Sequence, residues 1–429
     1  MKFKKVTRML SVLCMASLLA LTGCGEKEST QEEAQKTEAN QEVSESKENN
    51  AQYLEEYFDV KVNEDLTTAE GFMAALGKVA ETEGIEMKED ASIDVLKASV
   101  DAADYKELVL TYPEEKVKER LEVYDLKFDG ENEDAAYIAC AMDAGFLSED
   151  LVKKAADKDS YSEDEIAEIL MSVADANGDG RNYLGMSSDE DIYRKIDQAW
   201  NSFLLFDDGT LSEIGKNAVL GQITTGYNLK SNAYNARFLK DLTLQYGHSD
   251  ITHAHQLMGL LNSEEIRAKV QLEPKISIYE YLPEWGPIPE KTPTYEVKQY
   301  GDRYLVYAVE YDMQLEFDDE DDMNRFDGVI NDYAKKNKGN EEAVGLIAAS
   351  WWQPLYTTVK TGMSEEAYRE ITDCVIENEM YALHSFCLPE NQENVINSFE
   401  EMSGELTVAP VTRYCDVSFY NYMSGEDYQ

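Results

Sequence analysis

Three of the four histidines, His248, His253 and His255, fall within the stretch YGHSDITHAHQL together with Ser249 and Asp250. Imidazole, hydroxyl and carboxylate are the groups of general acid–base and nucleophilic catalysis, and imidazole with carboxylate is also a zinc donor set. On a helix that begins near Ser249, His253 lies one turn from Ser249 and Asp250 while His255 faces elsewhere, so no three of these groups converge on one ion. Ser249, Asp250 and His253 are therefore the catalytic candidates, and zinc is not expected. A second cluster, DANGDGRNYLGM, sets Asp175, Asn177, Asp179 and Gly180 at positions one, three, five and six of a calcium loop. Position twelve is Met186 instead of a bidentate carboxylate, so these three metal candidates are expected to form a tight double turn. Trp285, Trp351 and Trp352 are the third set, because an exposed indole face stacks on sugars and other flat ligands.

The amino terminus carries chemistry of another kind. Lys2, Lys4, Lys5 and Arg8 precede an apolar segment from Met9 to Leu21, the pattern of a secretory signal. Leu21-Thr22-Gly23-Cys24 resembles the lipobox of bacterial lipoproteins. The resemblance implies cleavage before Cys24, acylation of the thiol and the new amino group by chains such as palmitate, and retention on the outer face of the cell membrane. Acyl chains contribute about 0.8 kcal/mol per buried methylene, so several of them hold a chain durably. The following stretch to about residue 51 is almost devoid of apolar residues and reads as an acidic, disordered tether.

The net charge of −47 excludes nucleic acid as a partner and acts instead in solvation. Cys140, Cys374, Cys387 and Cys415 are widely spaced with no CxxC pair, so neither a zinc knuckle nor a disulfide framework is indicated. One bridge among the last three and simple buried thiols are both open readings.

Positioning elements follow from periodicity. In DLTTAEGFMAALGKVAETEG, Phe72, Leu76 and Val79 form an apolar stripe behind a Thr67-x-x-Glu70 cap. Helix, glycine turn and capped helix recur at DAAYIACAMDAGFLSEDL and DSYSEDEIAEILMSVADANG. Ala144-Gly145-Phe146-Leu147, Leu66 to Glu70 and Ser162 to Glu165 resemble the signatures of the S-layer homology module. That resemblance implies cell-wall polysaccharide as a partner. Thr68 and Glu163 stand where the family holds that anionic polymer with arginine, so wall binding is expected to be weak.

The segment GHSDITHAHQLMGLLNSEEIRAKV, a helix followed by a strand at Ile266 to Val270, resembles the transglutaminase-like core. Ser249 and Asp250 occupy the place of that family's cysteine, which implies a scaffold without its acyl-transfer chemistry. Pro283, Pro287, Pro289 and Pro293 mark a connection around Trp285. Beyond it a hairpin turning at Gly301-Asp302, an acid-led helix, a strand through LIAASWWQPLYTT, a helix through SEEAYREITDCVIEN, a strand through MYALHSFCLPE and a final helix alternate.

The expected chain is an α+β multidomain protein: signal 1–23, tether 24–51, helical S-layer homology-like modules 52–180, a mainly helical segment 181–285, and a layered α/β domain 295–429. The expected function is that of a membrane-anchored surface lipoprotein with a noncatalytic structural or binding role in the cell envelope, without a cofactor. Two rivals stand beside it: a surface hydrolase or acyl transferase built on His248 to His255, and a glycan- or solute-binding lipoprotein using the tryptophans.

Overall fold

A computed structural model describes residues 49–87, 89–333, 355–359 and 368–426. The signal, Cys24 and the tether up to residue 48 lie outside the described residues, as do Trp351 and Trp352, while 49–51 of the expected tether are helical. The described residues form one compact unit.

Its first part is helical. A helix through 49–58 is followed by α1 (Ala69–Val79), α2 (Ser92–Ala102), α3 (Glu114–Val123), α4 (Asn132–Ala144), α5 (Glu149–Asp157) and α6 (Glu163–Asn177). The cap of α1 is Thr68, one residue later than the Thr-x-x-Glu spacing suggests, and its hydroxyl accepts from the Gly71 amide. A 3₁₀ turn at Glu64–Thr67 presses on the helix start, and a Cβ at Gly71 would fall 2.0 Å from the Asp65 carbonyl oxygen. Ser162 and Glu165 close a reciprocal capping box on α6. Phe72, Leu76, Ile138, Ile169 and Leu170 from three of these helices meet in one fully buried core.

The second part overturns the expected layered α/β domain. Ten strands follow: β1 (Gly185–Met186), β2 (Gly226–Ser231), β3 (Thr243–His248), β4 (Ala268–Glu280), β5 (Tyr295–Tyr300), β6 (Arg303–Phe317), β7 (Leu355–Thr358), β8 (Tyr368–Asn378), β9 (Tyr381–Cys387) and β10 (Val408–Asp416). The order β4-β2-β9-β8-β10-β7-β3-β6 returns to β4, giving a closed eight-stranded antiparallel barrel. Closure is made by the long β4–β6 ladder, which runs from Ala268↔Phe317 to Glu280↔Leu305. It removes the free edges that a layered sheet would expose. Segments 181–285 and 295–429 both feed this barrel, and the proline-rich connection at Trp285 joins two strands of one sheet.

Alternation along the strands explains the jacket of helices. On one side α7 (Ile192–Asn201), α9 (Ile251–Ser263) and α10 (Glu320–Tyr333) pack on the outward Leu244, Tyr246, Leu272 and Met313. On another side α8 (Gly209–Leu220) and α11 (Gln392–Ser403) cover Leu229, Ile276, Ile376 and Leu383. The apolar face therefore points out to the helices and the polar face points into the lumen. SEEAYREITDCVIEN, expected as helix, supplies strand β8. Its buried Tyr368, Ile371 and Val375 happen to repeat at three-to-four spacing, yet both faces of this strand are covered.

Bundle and barrel are tied at Glu316, which is fully buried. Its carboxylate takes Arg181 Nε and Lys269 Nζ at 2.9 Å each and the Leu239 amide at 2.7 Å. Tyr57 on the first helix donates from its hydroxyl to the Phe238 carbonyl at 2.7 Å.

Candidate functional site

The polar face of the barrel strands makes a charged belt across the lumen. In β4 the residues Gln271, Glu273, Lys275 and Ser277 alternate with apolar ones, and in β6 Glu310, Asp312, Gln314 and Glu316 do the same. Lys230 Nζ lies 2.6 Å from Asp312 Oδ2 and 3.2 Å from Glu273 Oε2, while Lys275 Nζ lies 2.6 Å from Asp312 Oδ1. Burial works against the Asp312 carboxylate, but Lys230 and Lys275 outweigh it and hold its pKa well below the carboxylate range. Burial likewise opposes the charge on Lys230, and Asp312 with Glu273 lifts its pKa above the ordinary value. Farther round, Asp373 Oδ2 accepts from Arg413 Nε at 2.9 Å and lies 3.0 Å from His384 Nδ1. Against burial, His384 and Arg413 keep Asp373 ionised far below the usual range.

Two chambers flank the belt, with His384 in the wall of both. The polar chamber, about 330 Å³, opens beside the 231–240 loop and Tyr57, and carries Lys230, Gln245, Glu273, Gln314, Thr357 and Arg413 on its walls. Its donors and acceptors are fixed by one another: Gln314 Nε2 donates to Gln245 Oε1 at 3.1 Å and to Glu273 Oε2 at 3.0 Å, and the Ala236 amide donates to Glu273 Oε1 at 2.9 Å. The Thr357 hydroxyl is fully buried and has no hydrogen-bond partner among the described residues. Asp373 Oδ1 is left in the same state. The second chamber, about 440 Å³, lies at the other end beneath α12 (Val417–Ser424) and is walled largely by aromatic rings.

The histidines expected to do chemistry sit elsewhere. His248 ends β3 on the same outward face as Leu244 and Tyr246, and His253 lies over it on α9. Their rings stack with centroids 3.9 Å apart. Burial, reinforced by His253, lowers the His248 pKa to about 3, and burial lowers that of His253 as well, so both are neutral at pH 7. Asp250 is the N-cap of α9: its carboxylate accepts from the Thr252 amide at 2.9 Å, which lowers its pKa. Ser249 is exposed. His255 Nε2 approaches Asp197 Oδ1 at 2.9 Å without the alignment of a hydrogen bond. The barrel wall thus separates His253 from His384.

Asp175 and Asn177 end α6, and Asp179 follows its Gly178 cap. Asn177 donates to the Ala102 carbonyl at 3.0 Å, and Asp175 Oδ1 lies 1.7 Å from where a Cβ on Gly180 would stand. Burial raises the Asp175 pKa, the reverse of what a cation ligand needs. Among the described residues no three His, Cys, Asp or Glu side chains are grouped to hold a metal ion. Trp285 is exposed at the rim of the aromatic chamber. Cys374 and Cys387 place their sulfurs 4.0 Å apart on adjacent strands as buried thiols.

The lumen residues escaped sequence reading, although the alternating polar set in KVQLEPKISIYE and VEYDMQLEF was the signal available. Helix-jacketed, charge-lined barrel is the class that fold and site define. No family model matches the chain, and neither the curated proteins nor the solved structures yield a match.

Proposed function

We propose that this is a lipid-anchored protein of the outer membrane face whose barrel lumen binds a small polar solute. The lipobox-like Leu21 to Cys24 supports the anchor, and the acidic, apolar-poor stretch after it has the composition of a linker between an anchor and a receptor domain. The observation that carries the binding role is the buried Thr357 hydroxyl, unpartnered among the described residues, on the wall of a chamber whose other walls carry hydrogen-bonded ions and amides beside apolar side chains such as Val375 and Val411. A buried hydroxyl without a partner costs roughly 1–3 kcal/mol, which a ligand oxygen or amine would recover. The chamber's size falls at the small end of ligand sites, in keeping with a sugar, an amino acid or a similar polar molecule.

A binding role is favoured over catalysis because, among the described residues, His384 hydrogen-bonds to Asp373 and to no hydroxyl or thiol that it could activate. The S-layer homology-like helices fit an accessory place in the cell envelope, with cell-wall polysaccharide as a weak partner. The test is a thermal-shift screen of detergent-extracted full-length protein against sugars, amino acids and small peptides. A true ligand at about a hundred times its Kd stabilises by roughly 2.7 kcal/mol. Val411→Trp, which fills the chamber from β10, removes that gain. If every solute leaves parent and variant melting alike, the reading fails.

A further inference from the structure

The chamber under α12 has a chemistry unlike the polar one. Tyr279, Trp285, Phe386, Phe419 and Tyr422 line it; Phe419 and Tyr422 lie nearly parallel, 6.2 Å apart at 29°, and two further pairs meet edge to face. The Tyr279 and Trp285 centroids are 6.3 Å apart at 63°, and those of Phe386 and Phe419 are 5.9 Å apart at 83°. An aromatic ring whose face borders a cavity presents its negative quadrupole to whatever lies inside.

One acid faces this cavity. Glu310 accepts from the Ser277 hydroxyl at 2.7 Å and forms no ion pair among the described residues. Its cross-strand neighbour Lys275 is drawn to Asp312 at 2.6 Å instead. In the belt, Lys230 and Lys275 are matched by Asp312 and Glu273, and Arg413 by Asp373. Glu310 is the carboxylate left over. Burial raises its pKa despite the pull of Lys275, as happens when a carboxylate lacks a close cation. A half-buried acid without an ion-pair partner takes either a proton or a cation, and the aromatic walls favour a cation that is itself weakly hydrated.

We propose that this chamber is a second binding site, for an organic ammonium ion. The ammonium charge sits on the Glu310 carboxylate, and its carbon substituents pack against Trp285, Tyr279, Phe419 and Tyr422. The site stands independently of whatever fills the polar chamber. A free ammonium solute and a choline-type lipid headgroup share this chemistry.

The test uses full-length protein in a nonionic detergent free of ammonium groups, titrated calorimetrically with choline and with its neutral carbon isostere 3,3-dimethyl-1-butanol. Choline is expected to bind saturably, and the isostere at least about tenfold more weakly. Glu310→Gln is expected to abolish that preference, and Trp285→Ala, at the exposed rim where folding is not at stake, to weaken choline about tenfold. Val411→Trp, in the other chamber, is expected to leave choline binding unchanged. Retention on phosphatidylcholine vesicles that choline displaces would assign the headgroup as source, and choline binding without retention a free solute. Equal affinity for choline and its isostere, an undiminished preference in a folded Glu310→Gln protein, or no saturable choline binding up to about 10 mM would overturn the proposal.

Discussion

Asp312→Asn is the substitution that strikes hardest at the belt. In the parent, one carboxylate neutralises two ammonium groups, Lys230 and Lys275, each 2.6 Å away, at a site where Asp312 is 1 % and Lys275 4 % exposed. The amide keeps the shape but removes the charge. Lys230 then retains Glu273 at 3.2 Å, and Lys275 retains no ion pair among the described residues, with Glu310 across the ladder as its nearest carboxylate neighbour in register. Removing one partner of a buried ion pair costs about 3–5 kcal/mol, mostly because the remaining charge stays desolvated. For a folded part of about 380 residues that corresponds to a drop in Tm of roughly 4–6 °C. Scanning calorimetry and the urea midpoint measure it. Asp312→Leu combined with Lys275→Met removes charges in balance and is expected to recover more than half of the loss. The deficit should also shrink in acid: the folded pKa of Asp312 is depressed, so its contribution is present above the unfolded value of about 3.9 and is lost as the pH falls further. A cost below about 1 kcal/mol for Asp312→Asn, or no recovery in the double variant, would refute the buried ion-pair account.

His248 sets a second pH dependence. Its pKa falls from 6.5 to about 3 on folding, so the unfolded chain binds the extra proton and stability drops as pH falls through that window, by roughly 1.4 kcal/mol per pH unit at most. His248→Phe is expected to flatten the slope between pH 6 and 4.5 in acid-unfolding curves. Ser249→Ala, at an exposed position, should shift stability by no more than about 0.5 kcal/mol, and His253→Ala, in the helix–barrel core, should cost about 1–3 kcal/mol. Calorimetry reads both, and a hydrolase and acyl-transfer screen should find no activity that either variant abolishes. Cys24→Ala should appear in the culture medium and the parent in the membrane fraction, as immunoblotting of the two fractions would show.

How much of this was legible depended on which face of an element met water. The helices of 69–177 were readable because Phe72, Leu76, Val79, Ile166, Ile169 and Val173 repeat at helical spacing and pack on one another. The hairpin at Gly301 was equally plain, since a tight turn with φ 66° there favours glycine. The barrel was not legible. Strands such as β4 and β6 have an apolar side covered by helices and a polar side enclosed in the lumen, so alternation that ordinarily marks a solvated face marked an interior one. Closure depends on β4 pairing with β6, a long-range event that no local pattern announces. The candidate site was missed for the same reason. Lys230, Asp312, Asp373 and His384 are far apart in sequence and each reads alone as a surface residue, whereas the clustered histidines drew the eye to a helix cap and a stacked pair outside the wall.

Thr357→Val tests the central claim most directly, because it keeps the side-chain shape and deletes only the hydroxyl that has no partner. Measured by calorimetry on the unliganded protein and by titration with the best polar solute from the screen, the two readouts are expected to move in opposite directions. The unliganded variant should melt at the parent's temperature or above it, since a buried unsatisfied hydroxyl is gone, while solute affinity falls about tenfold or more. A variant that melts lower yet binds the solute as tightly as the parent would contradict the assignment of the polar chamber as the binding site.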